Sequence, residues 1–417
     1  MKAFADPFNV TNTPEQFGFD AERLERITSH FDRYVDLGVL PGWSALVARH
    51  GEPVFAGGGG FRDLALGLPV EPETMWRLYS MTKPVASVAV MMLVERGLLS
   101  LDDRVSDYIP EFADLVVHDG GSPSSHRVRA AARPMKIWHL LSHTAGLTVG
   151  LAHMDPVDAL YRDAGHDVLP LPGTTLDQMC RQVARLPLLF EPGTSWNYSV
   201  AVDVLGRIIE ICSGETLDRF MDKHMFGPLG MADTTFTLDP KRLGDLAEIY
   251  SPDPETGQLV VNDVLRQTFR QPPEFPSGSG VPGLVSTMGD YHRFASMLVR
   301  GGELGGTRLL SPRALALMAR NHLPGATDLM SFAMYPDEEH RGCGFGLGFS
   351  VVIDPVSARS MGNKGEFGWS GAANTHFFVD PVDGVTALFF TQVVTWGQRR
   401  IPLRRQLRSL VYQALIS

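Results

Sequence analysis

The feature that constrains this chain most is a run of ten almost wholly apolar residues, from Val85 to Val94. The run is about half as long as a membrane span. Ser80-Met81-Thr82-Lys83-Pro84 comes directly before it, and Pro84 is tolerated there because the first amides of a helix have no acceptor within the helix. A helix that is apolar on all sides has to be buried. The sequence therefore predicts a helix at the centre of the molecule, with Ser80 and Lys83 at its start.

Both ends of the chain offer a helix together with strands. Near the N-terminus, apolar residues at helical spacing predict a helix between Phe19 and Val39. A hairpin follows from Gly42, and its return strand is expected to end in the four glycines that begin at Gly57. Near the C-terminus, two strands between Asn374 and Val394 precede a helix with one apolar face.

The middle of the chain is rich in loops and helical patterns. Segments that contain proline or glycine interrupt it at 120–125, 170–173 and 272–283, and such segments form connections or line a cleft. The economical architecture is one α/β domain built from both chain ends, with a mainly helical domain inserted between them. We expect residues 1–97 and 271–417 in the first domain and residues 98–270 in the second. The active site would lie in the cleft between the two.

The net charge limits the classes of binding partner, and the N-terminal sequence indicates where the protein is located. The chain carries a net charge of −10, whereas proteins that bind nucleic acid or anionic membranes present basic surfaces. We therefore expect neither as a partner. Asp6 and Pro7 come before any apolar run, so the N-terminus does not resemble a secretion signal and we expect the protein in the cytoplasm. The sequence leaves the oligomeric state open.

No metal or cofactor is expected. The three cysteines are far apart and form no CxxC pair, so they predict neither a zinc site nor a disulfide framework. The histidines His139, His143 and His376 lack the spacing of metal ligands, and we expect structural roles for them. Gly278 to Gly283 fits the GxGxxG pattern, but Pro282 and the missing strand-to-helix context argue against a dinucleotide site.

The pair Ser80 and Lys83 is the first candidate for chemistry. Residues three apart at the start of a helix lie on one face, and the positive end of the helix stabilises a developing negative charge on Ser80. A Ser-x-x-Lys pattern is short enough to occur by chance. On this observation alone, Ser80 as an ordinary helix N-cap is an equally good interpretation.

Two further segments give the pair a context. Glu191 to Val200 carries Tyr198 in the position of a Tyr-x-Asn motif, and Trp369-Ser370-Gly371 stands at the place of a Lys-Thr-Gly motif, just before the strand near Asn374. With Ser80 to Lys83, these segments have the order and spacing of the β-lactamase and penicillin-binding protein superfamily. The chain most resembles class C β-lactamases and family VIII carboxylesterases. Leu140 to Leu147 and Gly278 to Val281 are also similar to stretches of this superfamily.

The resemblance implies a fold and a set of roles. The fold would be α/β and β-lactamase-like, an antiparallel sheet flanked by helices with an inserted helical domain. Ser80 would attack an acyl carbonyl, and a serine hydroxyl needs a neighbouring group to remove its proton. Lys83 and Tyr198 would accept that proton and later return it, and either could be the base. Backbone amides of Ser80 and Ala372 would hold the oxyanion, with Gly371 letting the strand edge approach the substrate.

Two departures from the β-lactamase pattern indicate the substrate. Trp369 replaces the lysine that attracts the substrate carboxylate in β-lactamases, and Val200 replaces an asparagine that binds the substrate amide. Both changes favour small uncharged esters, and Trp-x-Gly here is similar to family VIII carboxylesterases. Trp369 as a plain core aromatic is the alternative.

Three other interpretations stay open at this point. An acyltransferase and an amide or peptide hydrolase, including a β-lactamase, are possible on the same scaffold, since an acyl-enzyme can pass to an alcohol, an amine or water. A catalytically silent interaction protein is the third. The chain contains no GxSxG, which excludes the nucleophile elbow of α/β-hydrolases.

Overall fold

A computed structural model describes residues 10, 12–150, 153–166, 173–270, 273, 275–278, 283–395 and 401–417. The segments 170–173 and 272–283, expected as connections, lie largely outside the described residues, as do Asp6, Pro7 and most of Gly278 to Val281. No helix in the described part of the chain is both long and apolar enough to cross a membrane.

An eight-stranded antiparallel sheet forms the centre of the fold, in the order β12-β13-β14-β15-β16-β1-β2-β3. The remaining strands form two-stranded pairs, among them β4 with β9 and β5 with β6. The strands are β1 (Gly42–Arg49), β2 (Glu52–Asp63), β3 (Leu68–Pro69), β4 (Trp76–Tyr79), β5 (Val116–Ser122), β6 (Ser125–Ala130), β7 (Tyr250–Pro252), β8 (Leu259–Val261), β9 (Leu284–Ser286), β10 (Glu303–Leu304), β11 (Thr307–Arg308), β12 (Cys343–Phe345), β13 (Ser350–Val352), β14 (Phe367–Ser370), β15 (His376–Asp380) and β16 (Val385–Phe390).

Helices cover both faces of this sheet, which confirms the predicted class of fold. They are α1 (Ala21–Leu24), α2 (Arg26–Asp36), α3 (Thr82–Glu95), α4 (Ile137–Leu141), α5 (Pro156–Asp163), α6 (Leu176–Val183), α7 (Ala201–Ser213), α8 (Leu217–Met221), α9 (Gly227–Leu229), α10 (Asp263–Arg266), α11 (Met288–Val299), α12 (Pro312–Met318), α13 (Leu329–Phe332), α14 (Pro355–Ala358) and α15 (Leu403–Tyr412). Helices α4 to α9 lie between residues 137 and 229, in the stretch expected to be mainly helical.

The two faces of the sheet bury two separate cores, because side chains alternate along each strand. Leu46 and Ala48 of β1 pack on the inner face with α3 and α11. Ala45 and Val47 face the other way and pack with α2 and α15. We call the α3 side the inner face and the α15 side the outer face.

Helix α3 is buried along most of its length, as its composition predicts. Every residue from Thr82 to Leu93 is buried, and each fully buried Val or Met side chain contributes roughly 1.5–3 kcal/mol. The hydroxyl of Tyr291, on α11, donates to the carbonyl of Met81 and anchors the start of the helix. The residues before α3 therefore have a fixed position at the centre of the molecule.

The four glycines after Phe55 do not end the return strand, so that expectation is wrong. Strand β2 continues through them to Asp63. Glycine is needed there because the neighbours come close: a Cβ on Gly59 would lie 2.2 Å from Oδ1 of Asp32, and Gly60 has a φ of +70°. The glycines let α2 approach the sheet without breaking the strand.

The expected connection at 120–125 is a β-hairpin instead. Residues up to Ser122 belong to β5, Ser125 begins β6, and only Pro123 and Ser124 join them. Gly120 and Gly121 have φ near +100°, and the pairing of the two strands shifts register beside them. The glycines mark a bulge in a strand and not a loop.

Candidate active site

Ser80 lies in a tight turn between β4 and α3. The residue before it, Tyr79, has a φ of +46°, a left-handed conformation that costs a residue with a side chain roughly 1–2 kcal/mol. Helix α3 starts at Thr82 with Met81 as its N-cap, so Ser80 precedes the helix and is not its N-cap. Strained backbone next to a candidate nucleophile is a frequent feature of functional sites.

Lys83 and Tyr198 both reach Ser80. The ammonium nitrogen of Lys83 is 3.4 Å from Oγ of Ser80, and the Tyr198 hydroxyl shares a hydrogen bond with the same oxygen. Nζ of Lys83 also lies 4.3 Å from the centre of the Tyr198 ring. The structure therefore brings together the three predicted catalytic side chains, although Tyr198 is far from the other two in the sequence.

Three backbone hydrogen bonds hold the segment that carries Tyr198 against the loop after α4. Amides of Gly193, Asn197 and Val200 donate to the carbonyls of Thr144, His143 and Thr148, at 2.7, 3.0 and 3.3 Å respectively. These carbonyls all belong to the loop after α4. Because the loop holds Tyr198 on both sides, its hydroxyl has a defined position relative to Ser80.

His143 contacts Tyr198 directly, which sequence reasoning missed. The two rings are 5.1 Å apart, and the imidazole Nδ1 lies 3.1 Å from Oγ of Ser199. Burial, and then the charge of Lys83, hold the pKa of His143 well below its usual range. A neutral His143 supports the Tyr198 ring. The only sequence signal for it was its place in the segment from Leu140 to Leu147.

Trp369, Gly371 and Ala372 lie at the end of β14. The Trp369 ring stacks against Tyr198 at a centroid distance of 5.9 Å. A Cβ on Gly371 would lie 2.3 Å from the carbonyl oxygen of Leu78, so only glycine lets this strand end approach β4. Ala372 follows and packs on a small cluster that includes Tyr79. The predicted substrate-binding residues are thus next to Ser80 and Tyr198.

Aromatic side chains surround Trp369 on several sides. The Phe345 ring meets it edge-on at 5.2 Å and the His340 ring stacks on it at 6.0 Å. Trp196 packs against Phe345 at 5.5 Å. None of these three side chains was predicted to line the site. Trp196 belongs to the segment that carries Tyr198 but is not one of its motif residues, and Phe345 and His340 come from a short strand and a helical turn with no recognisable motif. Together they make this wall of the site apolar.

Within the described residues, no group of three or more histidine, cysteine, aspartate or glutamate side chains is arranged to hold a metal ion. The three cysteines are free thiols, and Cys180 is buried. His376 is bound to the backbone of β14, where its Nδ1 lies 3.2 Å from the carbonyl of Trp369.

His139 holds the first turn of α4, and this helix leads into the loop that supports Tyr198. The amide of Lys136 donates to Nδ1 of His139 at 3.0 Å, so the imidazole is neutral when the cap is formed. Burial, and then the charge of Lys136, lower the pKa of His139 from 6.5 to about 4. The cap is therefore sensitive to acid.

The His139→Gln variant should lose stability less steeply in acid than the wild type. Below about pH 6.5 the unfolded chain binds a proton at His139 that the folded chain does not, so the free energy of unfolding falls until the pH reaches about 4. The slope for one histidine is at most about 1.4 kcal/mol per pH unit. Glutamine at this third helical position keeps an acceptor for the Lys136 amide but does not titrate. Urea unfolding of both proteins across this range tests the effect, and equal slopes would contradict it.

Comparison with known proteins places the chain among relatives of matching length. The family model described as Beta-lactamase matches residues 27–412. Protein Rv1367c of Mycobacterium tuberculosis is 34% identical over 360 residues, which cover 86% of this chain and 87% of that protein. Esterase EstB of Burkholderia gladioli is 32% identical over 419 residues, which cover 96% of this chain and 98% of that protein. The solved structure of EstCE1, a hydrolase with promiscuous acyltransferase activity, superposes with a TM-score of 0.76 at 29% identity and covers 94% of this chain and 98% of its own.

Proposed function

Because this chain belongs to the beta-lactamase family, we propose that it is a serine carboxylesterase that cleaves small, uncharged esters through an acyl-enzyme on Ser80. The observation that carries the proposal is the hydrogen-bonded group of Ser80, Lys83 and Tyr198 beside a wall formed by Trp369. The similarity to an esterase over nearly the whole length of both chains supports it.

The proposed reaction has two halves. In the first, the pair of Lys83 and Tyr198 acts in the form that has already lost one proton. Oγ of Ser80 forms a bond to the acyl carbon while its proton moves to this pair, and the carbonyl oxygen becomes an oxyanion. The amides of Ser80 and Ala372 would stabilise that oxyanion. The carbon–oxygen bond to the leaving alcohol then breaks, and the alcohol takes the proton. In the second half, water attacks the acyl carbon by the same route and releases the acid and Ser80.

We assign the role of base to Tyr198, with Lys83 assisting. The Tyr198 hydroxyl shares a hydrogen bond with Oγ of Ser80, whereas Nζ of Lys83 is 3.4 Å from it, beyond the usual range of a strong hydrogen bond. The contact between Lys83 and the Tyr198 ring keeps a positive charge beside the aromatic side chain. Lys83 is 3% exposed, so water screens this charge little.

The preference for uncharged esters follows from the wall around Trp369. An aromatic side chain cannot form an ion pair with a substrate carboxylate, and Phe345 and Trp196 extend the same apolar surface. Removing one partner of a buried charge pair costs 2–5 kcal/mol or more. An anionic β-lactam would therefore bind its carboxylate without a counter-charge at this position.

The protein should hydrolyse para-nitrophenyl butyrate at least about a hundredfold more efficiently, by kcat/KM, than benzylpenicillin. Steady-state rates with both substrates on one enzyme preparation measure the ratio directly. A panel of nitrophenyl esters of increasing acyl length would then place the preferred acyl group. If benzylpenicillin is the better substrate, the esterase assignment is wrong and another residue provides the anchor for its carboxylate.

Transfer of the acyl group to an alcohol is the second candidate. The similarity to EstCE1, whose description includes promiscuous acyltransferase activity, favours it. The first half-reaction is the same, and an alcohol replaces water in the second. Adding a primary alcohol to the assay and measuring the ratio of new ester to free acid separates the two outcomes. Formation of free acid without any new ester would exclude transfer to that alcohol.

A further inference from the structure

A cavity of about 100 Å³ lies on the outer face of the sheet, behind β14. Outward-facing residues of neighbouring strands, among them Ser350, Ser370 and His376, line one wall, and α15 forms the other. Among the described residues, the lining includes Trp369 and His340, which belong to the wall of the candidate active site, but neither Ser80 nor Tyr198. Strand β14 contributes to both this cavity and the candidate active site. The space is enough for several water molecules or one small organic molecule.

The walls of this cavity carry more positive than negative charge. Arginines 359, 404, 405 and 408 line it against glutamates 339 and 366. Glu366 is paired with Arg408 at 2.5 Å, and Glu339 with Arg404 at 3.3 Å. Because the chain as a whole has a net charge of −10, a concave surface with excess arginine is a local exception. Guanidinium groups in such a surface favour a carboxylate, which they can bind through two parallel hydrogen bonds.

His376 offers an unpaired hydrogen-bond acceptor to a molecule bound in this cavity. Its Nδ1 faces the carbonyl oxygen of Trp369, so this nitrogen carries the proton and donates. Burial, and then the charges of Arg408 and Arg404, hold the pKa of His376 well below its usual range, so the ring is neutral. Nε2 is therefore a hydrogen-bond acceptor, and it is buried without a partner among the described residues. A buried acceptor left unpaired costs about 1–3 kcal/mol.

We propose that this cavity binds a small hydroxycarboxylate. The carboxylate lies against the guanidinium groups of Arg404 and Arg405, and the hydroxyl group donates to Nε2 of His376. The positive wall selects the anion, and the unpaired acceptor selects a ligand that also carries a donor. The site is distinct from the candidate nucleophile and base, since neither Ser80 nor Tyr198 lines the cavity among the described residues.

Calorimetric titration of the full-length protein with lactate and with propionate tests the proposal, since the two acids differ by one hydroxyl group. We expect saturable binding of lactate with a dissociation constant on the order of 1 mM, and about tenfold weaker binding of propionate because it cannot donate to Nε2. Equal affinities, or no saturable lactate binding up to about 100 mM, would overturn the proposal.

Two variants locate the binding. His376→Asn keeps a side-chain N–H for the Trp369 carbonyl but is too short to place an acceptor at the position of Nε2, so it should abolish the preference for lactate over propionate. Arg405→Gln should weaken both acids by about tenfold. Arg313→Gln, an exposed arginine on α12, is the matched control and should change neither affinity. If both cavity variants bind lactate as the wild type does, the acid binds elsewhere and the assignment is wrong.

Discussion

Replacing Ser80 with alanine should lower kcat/KM for para-nitrophenyl butyrate by at least about a thousandfold. Ser80 supplies the oxygen that forms the covalent bond, and neither Lys83 nor Tyr198 can take over that step. The fold should persist, since Ser80 precedes α3 and the buried residues of the helix are unchanged. Activity is measured on purified protein, with circular dichroism to confirm folding.

Ser87→Ala is the matched control for this variant. Ser87 lies on α3, the helix that follows Ser80, and is fully buried, and its hydroxyl has no hydrogen-bond partner among the described residues. The same chemical change there should leave kcat/KM within about threefold of the wild type. Intact-protein mass spectrometry after exposure to a phosphonate ester adds a direct readout, because only proteins with Ser80 should gain the adduct. Wild-type rates in Ser80→Ala would remove the basis for the assigned nucleophile.

Tyr198→Phe should lower kcat/KM by at least about a hundredfold, the usual contribution of a general base. The change removes one oxygen and keeps the ring, so the contacts with Trp369 and His143 are retained. The loss should appear in kcat more than in KM, because the hydroxyl acts on the proton of Ser80 and not on substrate binding.

Tyr34→Phe provides the comparison. The Tyr34 hydroxyl also makes a hydrogen bond, with Gln406, but on the outer layer of the fold. A Tyr198→Phe enzyme as active as Tyr34→Phe would mean that Tyr198 is structural. Lys83 would then be the remaining candidate for the base.

The sequence was most informative where one pattern had one physical interpretation. The apolar run after Lys83 had to be a buried helix, and α3 is one. The apolar stripe near the C-terminus became α15, which buries Leu403, Leu407 and Val411. The class of fold and the resemblance to the family are confirmed by the antiparallel sheet and by the family match.

The errors and omissions have a common cause, which is that close approach in space leaves little trace in local sequence. Glycine is usually unfavourable inside a strand, so the run from Gly57 was expected to end β2. Only the position of Asp32 on α2 shows why glycine is required there. His143 and Phe345 likewise reach the site through the packing of distant segments, and no spacing rule connects them to Ser80.

The position of β1 in the sheet has a consequence for synthesis of the chain. β1 pairs with β16, and near them the Thr391 hydroxyl donates to the carbonyl of Gly42 across 349 residues of sequence. At ribosomal rates, that length takes on the order of half a minute to emerge. During this time the hairpin of β1 and β2 has one edge without its partner and its apolar faces uncovered, a condition that promotes wrong strand pairing. The central sheet is therefore completed only when the last strand has left the ribosome, so we expect the nascent chain to depend on chaperones for its first segment.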